Sequence, residues 1–122
     1  MLLSECPISD TLRVIGGKWK PLILYELKGG KLRFGQLQRR IPEATHKVLT
    51  EQLRQLEQIG ILQRTLYREA VLRSEYELTP YGQTLRPLLL SLAQWGIRHR
   101  RLRQAREHRR EDASQVAEPT IE

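Results

Sequence analysis

The chain has 122 residues, one cysteine, and 21 Lys and Arg against 14 Asp and Glu, for a net charge of +7. That length is one domain with room for a tail, large enough to bury a core without disulfides or metal. The single Cys6 excludes an intrachain disulfide and fits a reducing compartment, and a pI near 10.1 points to an anionic partner such as nucleic acid.

The first helix opens at Cys6-Pro7, where Pro suits a first turn. Leu12 and Ile15 give it an apolar face, and Gly16-Gly17 stop it. A second helix is predicted over 18–28, with Pro21 tolerated in its first turn and Gly29-Gly30 at its end. Residues 31–33 read as a short strand. Phe34, Leu37 and Ile41 recur at helical spacing over 34–40, and Pro42 breaks that helix. Thr45 is a good N-cap for a helix over 46–58. Ala44 and Leu49 stand where a hydrophobic staple would pack, and Gly60 ends the helix.

Residues 61–67 and 74–78 read as strands. In the second, Tyr76 and Leu78 alternate with Glu75 and Glu77 at the period of a half-buried strand. The basic loop between them, 68–73, is the expected wing. Thr79 and Pro80 start the last helical region, where Leu85, Leu88, Leu92, Trp95, His99 and Leu102 recur at spacings of 3 and 4. Pro87 should kink this run or mark a break between two helices. The apolar pattern fades from Arg106. The division is therefore 1–105 as a winged domain with its terminal helices, and 106–122 as a polar, disordered tail. The expected fold class is mainly α with a small β-hairpin: a winged helix-turn-helix with a C-terminal dimerisation helix.

Winding the Thr45 helix at about 100° per residue separates two faces. With Leu49 at zero, Leu53 and Leu56 fall within about 40° of it, and Lys47, Thr50, Glu51 and Arg54 lie on the far side. Lys and Arg can donate to guanine, Glu can accept from cytosine, and Thr offers a hydroxyl or a methyl. His46 stands at the N-terminal end, within reach of phosphate or base. For this helix alone, an ordinary solvated face is the better explanation. The flanking arginines weigh against that: Arg39 and Arg40 precede the helix, and Arg64, Arg68 and Arg73 flank or occupy the wing, where phosphate contacts would set register.

Leu88, Leu92, Trp95 and Leu102 form an apolar stripe in a domain whose core is already supplied, which fits a helix-to-helix homodimer. Two half-sites one helical turn apart would then be read together. The alternative is a helix folded back on its own domain. The arginines between 98 and 110 suit flanking phosphates or solvent equally well. Cys6 stands at or just before a helix N-terminus, where the dipole favours thiolate. Without a second cysteine its oxidation ends in a sulfenic acid, a mixed disulfide or a Cys6–Cys6′ bridge. Residue physics alone favours a small half-buried hydrophobe.

Several of these residues, taken in order, resemble the HxlR-type family of bacterial transcription regulators, winged-helix relatives of the MarR-like proteins. They include Cys6-Pro7, the run Ile15-Gly16-Gly17-Lys18-Trp19-Lys20, Arg33-Phe34 with Leu37, and Ile41-Pro42. The match continues through Lys47, Leu49-Thr50, Leu53-Arg54, Leu56-Glu57, Glu75-Tyr76, Leu78-Thr79, Gly82, Leu85 with Pro87, and Trp95-Gly96. It covers roughly 6–99. The resemblance implies a homodimer joined through its terminal helices on inverted-repeat duplex DNA, repression as the default, and a Cys6 that answers to oxidants, quinones or aldehydes. Two departures stand out. Glu43-Ala44-Thr45 replaces a usual Gly-Ile-Ser, placing an acid beside the DNA. The wing reads Glu69-Ala70-Val71-Leu72 where the family favours prolines, which leaves it more mobile.

The competing functions are a winged helix that docks protein, a regulator indifferent to redox state that answers to a small ligand, an enzyme, and an RNA binder. His46, His99 and His108 form no metal-spaced cluster and no phosphate loop is present, so neither catalysis nor a metal or other cofactor is expected. No aromatic platform for RNA appears. No apolar run approaches the ~18 residues of a membrane span, and 3–6 lacks the flanks of a lipoprotein leader, so the expected location is the cytoplasm.

Overall fold

A computed structural model describes residues 6–117. The elements are α1 (Pro7–Ile15), α2 (Lys20–Leu27), β1 (Leu32–Arg33), α3 (Phe34–Arg40), α4 (His46–Ile59), β2 (Leu62–Arg68), β3 (Leu72–Leu78), α5 (Pro80–Gln83) and α6 (Arg86–Ala117). The three strands form an antiparallel sheet in the order β1-β3-β2. Helix, turn, helix and hairpin in this order make a winged helix-turn-helix, the fold class expected from the sequence. The chain divides after Leu89 into two units.

The first unit has one apolar core. Ile23, Leu24 and Leu27 of α2, Leu37 of α3, and Leu49, Leu53 and Leu56 of α4 are fully buried, joined by Ile61, Leu62, Tyr76, Leu78 and Leu89. No polar or charged residue is buried as a whole among the described residues. Fold stability therefore rests on burial, at roughly 1.5–3 kcal/mol for each large apolar side chain taken out of water.

Local signals explain the boundaries of α4. The Thr45 hydroxyl accepts from the Val48 N–H at 3.1 Å, capping the start. Ala44 and Leu49 are both buried, as a staple requires. At the other end Gly60 adopts φ 88°, a left-handed conformation that costs glycine little. Its N–H bonds to the Glu57 carbonyl at 3.0 Å and the Ile61 N–H bonds to Leu56 at 3.0 Å, the double closure of a Schellman motif.

One residue ties the base of the hairpin. Thr79 donates its hydroxyl to the Gly60 carbonyl at 2.5 Å and its N–H to the Ile61 carbonyl at 3.0 Å. The same hydroxyl oxygen caps α5 by accepting from the Gly82 N–H at 3.0 Å. A Cβ at Gly82 would collide with the Ile61 carbonyl, so this crossing tolerates no side chain.

Three expectations are revised and one is narrowed. α2 starts at Lys20 rather than 18, because residues 17–19 turn after Gly17 (φ 80°). The hairpin zips further than composition suggests: Arg68 pairs with Leu72 and Tyr67 with Arg73, which leaves a turn of only 69–71. Pro87 does separate two helices, with α5 a single turn and Pro87 the second residue of α6. Finally, α6 runs on to Ala117, so 106–117 is helix rather than a disordered tail. An apolar stripe is not what sustains that stretch. Its Arg, Gln, Glu and Ala are good helix formers, and Arg103–Glu107 (3.9 Å) and His108–Asp112 (3.5 Å) pair one turn apart. Residues 118–122 lie outside the described residues.

Candidate nucleic-acid interface

The pair α3–α4 is held by a short turn. Ile41 is buried at its corner, the Ala44 N–H bonds to the Ile41 carbonyl at 3.1 Å, and Gln38 Nε2 donates to the Ala44 carbonyl at 3.2 Å. α4 is then fixed by its three buried leucines. Its opposite face presents Lys47, Glu51 and Arg54 exposed and Thr50 half-buried. Lys47, Glu51 and Arg54 carry no ion pair among the described residues, so their charges are uncommitted.

Thr50 and His46 differ from that group. The Thr50 hydroxyl donates to the His46 carbonyl at 2.7 Å, so its proton serves α4 itself and its methyl and lone pairs are what remain for a partner. The His46 ring lies 4.6 Å from the Phe34 ring, tilted by 51°, so α3 orients it.

A cleft of 540 Å³ lies beside this face, lined by Arg33, Arg39, His46, Thr50, Leu72 and Arg73 among others. It brings together α3, the start of α4 and β3. The five arginines assigned to backbone contacts fall into two groups. Arg39 and Arg68 are exposed, without an ion pair among the described residues. Arg40 pairs with Glu26 at 3.5 Å and Arg64 with Glu57 at 3.9 Å. Arg73 faces both Glu69 and Glu75 at 3.8 Å. Burial pushes the Tyr76 phenol above its ordinary range; the neighbouring Arg64 pulls it back and Glu57 adds to the rise.

Two contacts were not legible in the sequence. Lys20 Nζ donates to Gln52 Oε1 at 2.8 Å and Gln55 Oε1 at 2.5 Å, tying α2 to α4. The Arg33 N–H donates to Gln36 Oε1 at 2.9 Å, closing the first turn of α3. The spacing of Arg33 and Gln36 hints at the second. Nothing in the sequence points to the first.

Cys6 is the N-cap residue of α1 and is half-exposed; its carbonyl accepts from the Ser9 N–H at 2.9 Å. On α6, Leu88, Leu92, Trp95 and Leu102 are all exposed, Trp95 at 62% and Leu102 at 60%, while Leu89 is buried. Trp95 stacks on His99 at 5.1 Å. On α1 the sequence-based face divides: Ile15 is buried, whereas Leu12 joins Ile8 on the exposed side. No group of His, Cys, Asp and Glu suited to a metal occurs among the described residues.

The sequence model of the HxlR-like helix-turn-helix family matches residues 14–104, most of this winged architecture. The chain belongs to the HxlR-like helix-turn-helix family. It is 42% identical over 95 residues to the uncharacterized HTH-type transcriptional regulator YdeP of Bacillus subtilis (strain 168), covering 78% of this chain and 74% of YdeP. Among solved structures, the redox regulator HypR in its reduced form superposes with a TM-score of 0.77 at 41% identity, covering 82% of this chain and 99% of HypR. The oxidized form gives 0.72 at 45% identity, with 75% and 94% covered. The chain is thus a DNA-binding transcriptional regulator of the helix-turn-helix type, a class that is not enzymatic. No helix among the described residues is long and apolar enough to cross a membrane.

Proposed function

We propose that this regulator binds inverted-repeat duplex DNA as a homodimer and represses the adjoining gene. Each α4 lies in a major groove and each hairpin follows the neighbouring backbone. The observation that carries the reading is the outer face of α4: Lys47, Glu51 and Arg54 are exposed and uncommitted on a helix whose other face is locked into the core. Arg54 and Lys47 read guanine edges, Glu51 a cytosine amine, and the Thr50 methyl a thymine. His46, Arg39 and Arg68 meet phosphates. Arg40 and Arg64 add long-range charge, because each is already paired with a glutamate.

The homodimer forms through the exposed apolar side chains of α6, Leu88, Leu92, Trp95 and Leu102. Four such residues at helical spacing suit the centre of an interface better than water.

Control comes from Cys6. Its half-exposed thiol is open to a peroxide. Thiolate attack on the O–O bond gives a sulfenic acid and releases water or an alcohol. A second thiol then expels water to give a mixed disulfide or the Cys6–Cys6′ bridge. Quinones and aldehydes would add to the same sulfur. Either change alters the packing of α1 and so the spacing of the two recognition helices. HypR, named a redox regulator in both oxidation states, supports this choice of signal.

The test is binding of the reduced protein to its own upstream region across a salt series, repeated after mild oxidation. Tight binding that weakens steeply with salt is expected, with affinity altered by oxidation in wild type and not in Cys6→Ser. Equal responses of both proteins would end the role of Cys6 and leave a regulator that answers to another ligand. Binding that ignores salt and duplex competitor would instead favour a protein-docking surface.

A further inference from the structure

The wing has two arginines, and the structure treats them differently. Arg68 ends β2, exposed and without an ion pair among the described residues. Arg73 is enclosed. Its guanidinium carbon lies 4.7 Å from the centre of the Tyr67 ring, its directly opposed neighbour on β2. Its Nη2 is 3.8 Å from Glu69 and its Nε 3.8 Å from Glu75, and that Nε is buried without a hydrogen bond. The Glu75 carboxylate, only 15% exposed, also lies 3.9 Å from Arg33 Nε across the β1–β3 pair.

A continuous line therefore runs from Glu69 at the tip, through Arg73 on Tyr67, to Glu75 and then Arg33 just before α3. It answers a question the sequence raises. A turn of Glu69-Ala70-Val71 has no Gly or Pro to stiffen it, and Val71 and the adjoining Leu72 are exposed. The planar guanidinium does what the turn residues do not, joining the strands by stacking and by two carboxylates at once. Between two glutamates its charge is also largely balanced, so it has little left for a phosphate.

We propose that Arg73 is a positioning residue that braces the wing against the helix-turn-helix, and that Arg68 alone of the pair meets the DNA backbone. The backbone contact rests on the DNA-binding reading above; the brace does not.

The experiment compares full-length wild type, Arg73→Lys, Arg73→Gln and Arg68→Gln, each checked for an unchanged melting profile of the core. Without DNA, hydrogen exchange of amides 68–72 should speed up about tenfold in both Arg73 variants and stay as wild type in Arg68→Gln. Lysine keeps the charge but cannot stack and fork, so wild-type exchange in Arg73→Lys overturns the brace.

With a duplex that wild type selects from a random-sequence pool, both Arg73 variants should bind about five- to tenfold more weakly with an unchanged salt slope, while Arg68→Gln lowers the slope by about 0.9. A slope lost in Arg73→Gln and restored in Arg73→Lys makes Arg73 a phosphate ligand and overturns the proposal. If wild type selects no duplex, the DNA reading falls and the exchange result alone decides the brace.

Discussion

α4 and the part of α6 beyond Leu90 are both charged helices, yet different forces hold them. α4 buries Leu49, Leu53 and Leu56, is capped at both ends, and belongs to a core of tightly packed neighbours. The later α6 has no buried residue among those described; its short-range Arg103–Glu107 and His108–Asp112 pairs support it, and it leaves Leu92, Trp95 and Leu102 open. The difference teaches that a core fixes the direction of the side chains on a helix's outer face, whereas a helix held by its own charges leaves its apolar side chains in water.

The sharpest way to break this contrast is Leu53→Ala. It should cost about 2–5 kcal/mol of folding stability in urea titration, because a fully buried leucine leaves a cavity. Trp95→Ala should leave the fold of the protomer intact and weaken self-association by about 2 kcal/mol or more in sedimentation equilibrium. An unchanged association constant would remove the partner from the comparison. Arg54→Ala should cost about 1–3 kcal/mol of binding to the selected duplex and relax one base position. An equal loss on every sequence would demote it to a phosphate contact. Thr45→Ala should cost about 1 kcal/mol of stability by uncapping α4.

The smallest effect is on pH. Burial raises the Tyr76 phenol above its ordinary 10.0 in the folded state. The unfolded chain therefore releases this proton first, and the stability held by neutral Tyr76 is complete below pH 10 and declines as pH rises above it. Tyr76→Phe should flatten that part of the alkaline melting curve.

Much of the winged fold was legible because its signals are local. Pro42 follows the end of α3, Thr45 and Gly60 bound α4, and the leucine spacing orients it. The outer residues of α4 were legible for the same reason, since a helix angle follows from sequence number alone. What escaped depends on register or on solvent. That Arg73 opposes Tyr67 and Arg33 opposes Glu75 needs the strand alignment, so the division of the arginines into free and paired could not be read beforehand. The length of α6 escaped because apolar periodicity reports burial, and a helix sustained by charge pairs leaves no such trace. Leu12 and Ile15 read as one apolar face, but two positions cannot say which side of α1 meets the core, and only Ile15 is buried.

The Thr79 crossing has a consequence for how such a protein can change. Since one hydroxyl and the close approach of Gly82 to Ile61 fasten both feet of the hairpin, the register of β2 against β3 is set at the base and not at the turn 69–71. A change in the length of that turn should therefore leave the pairing at the foot, and with it the pose of α4, as they are.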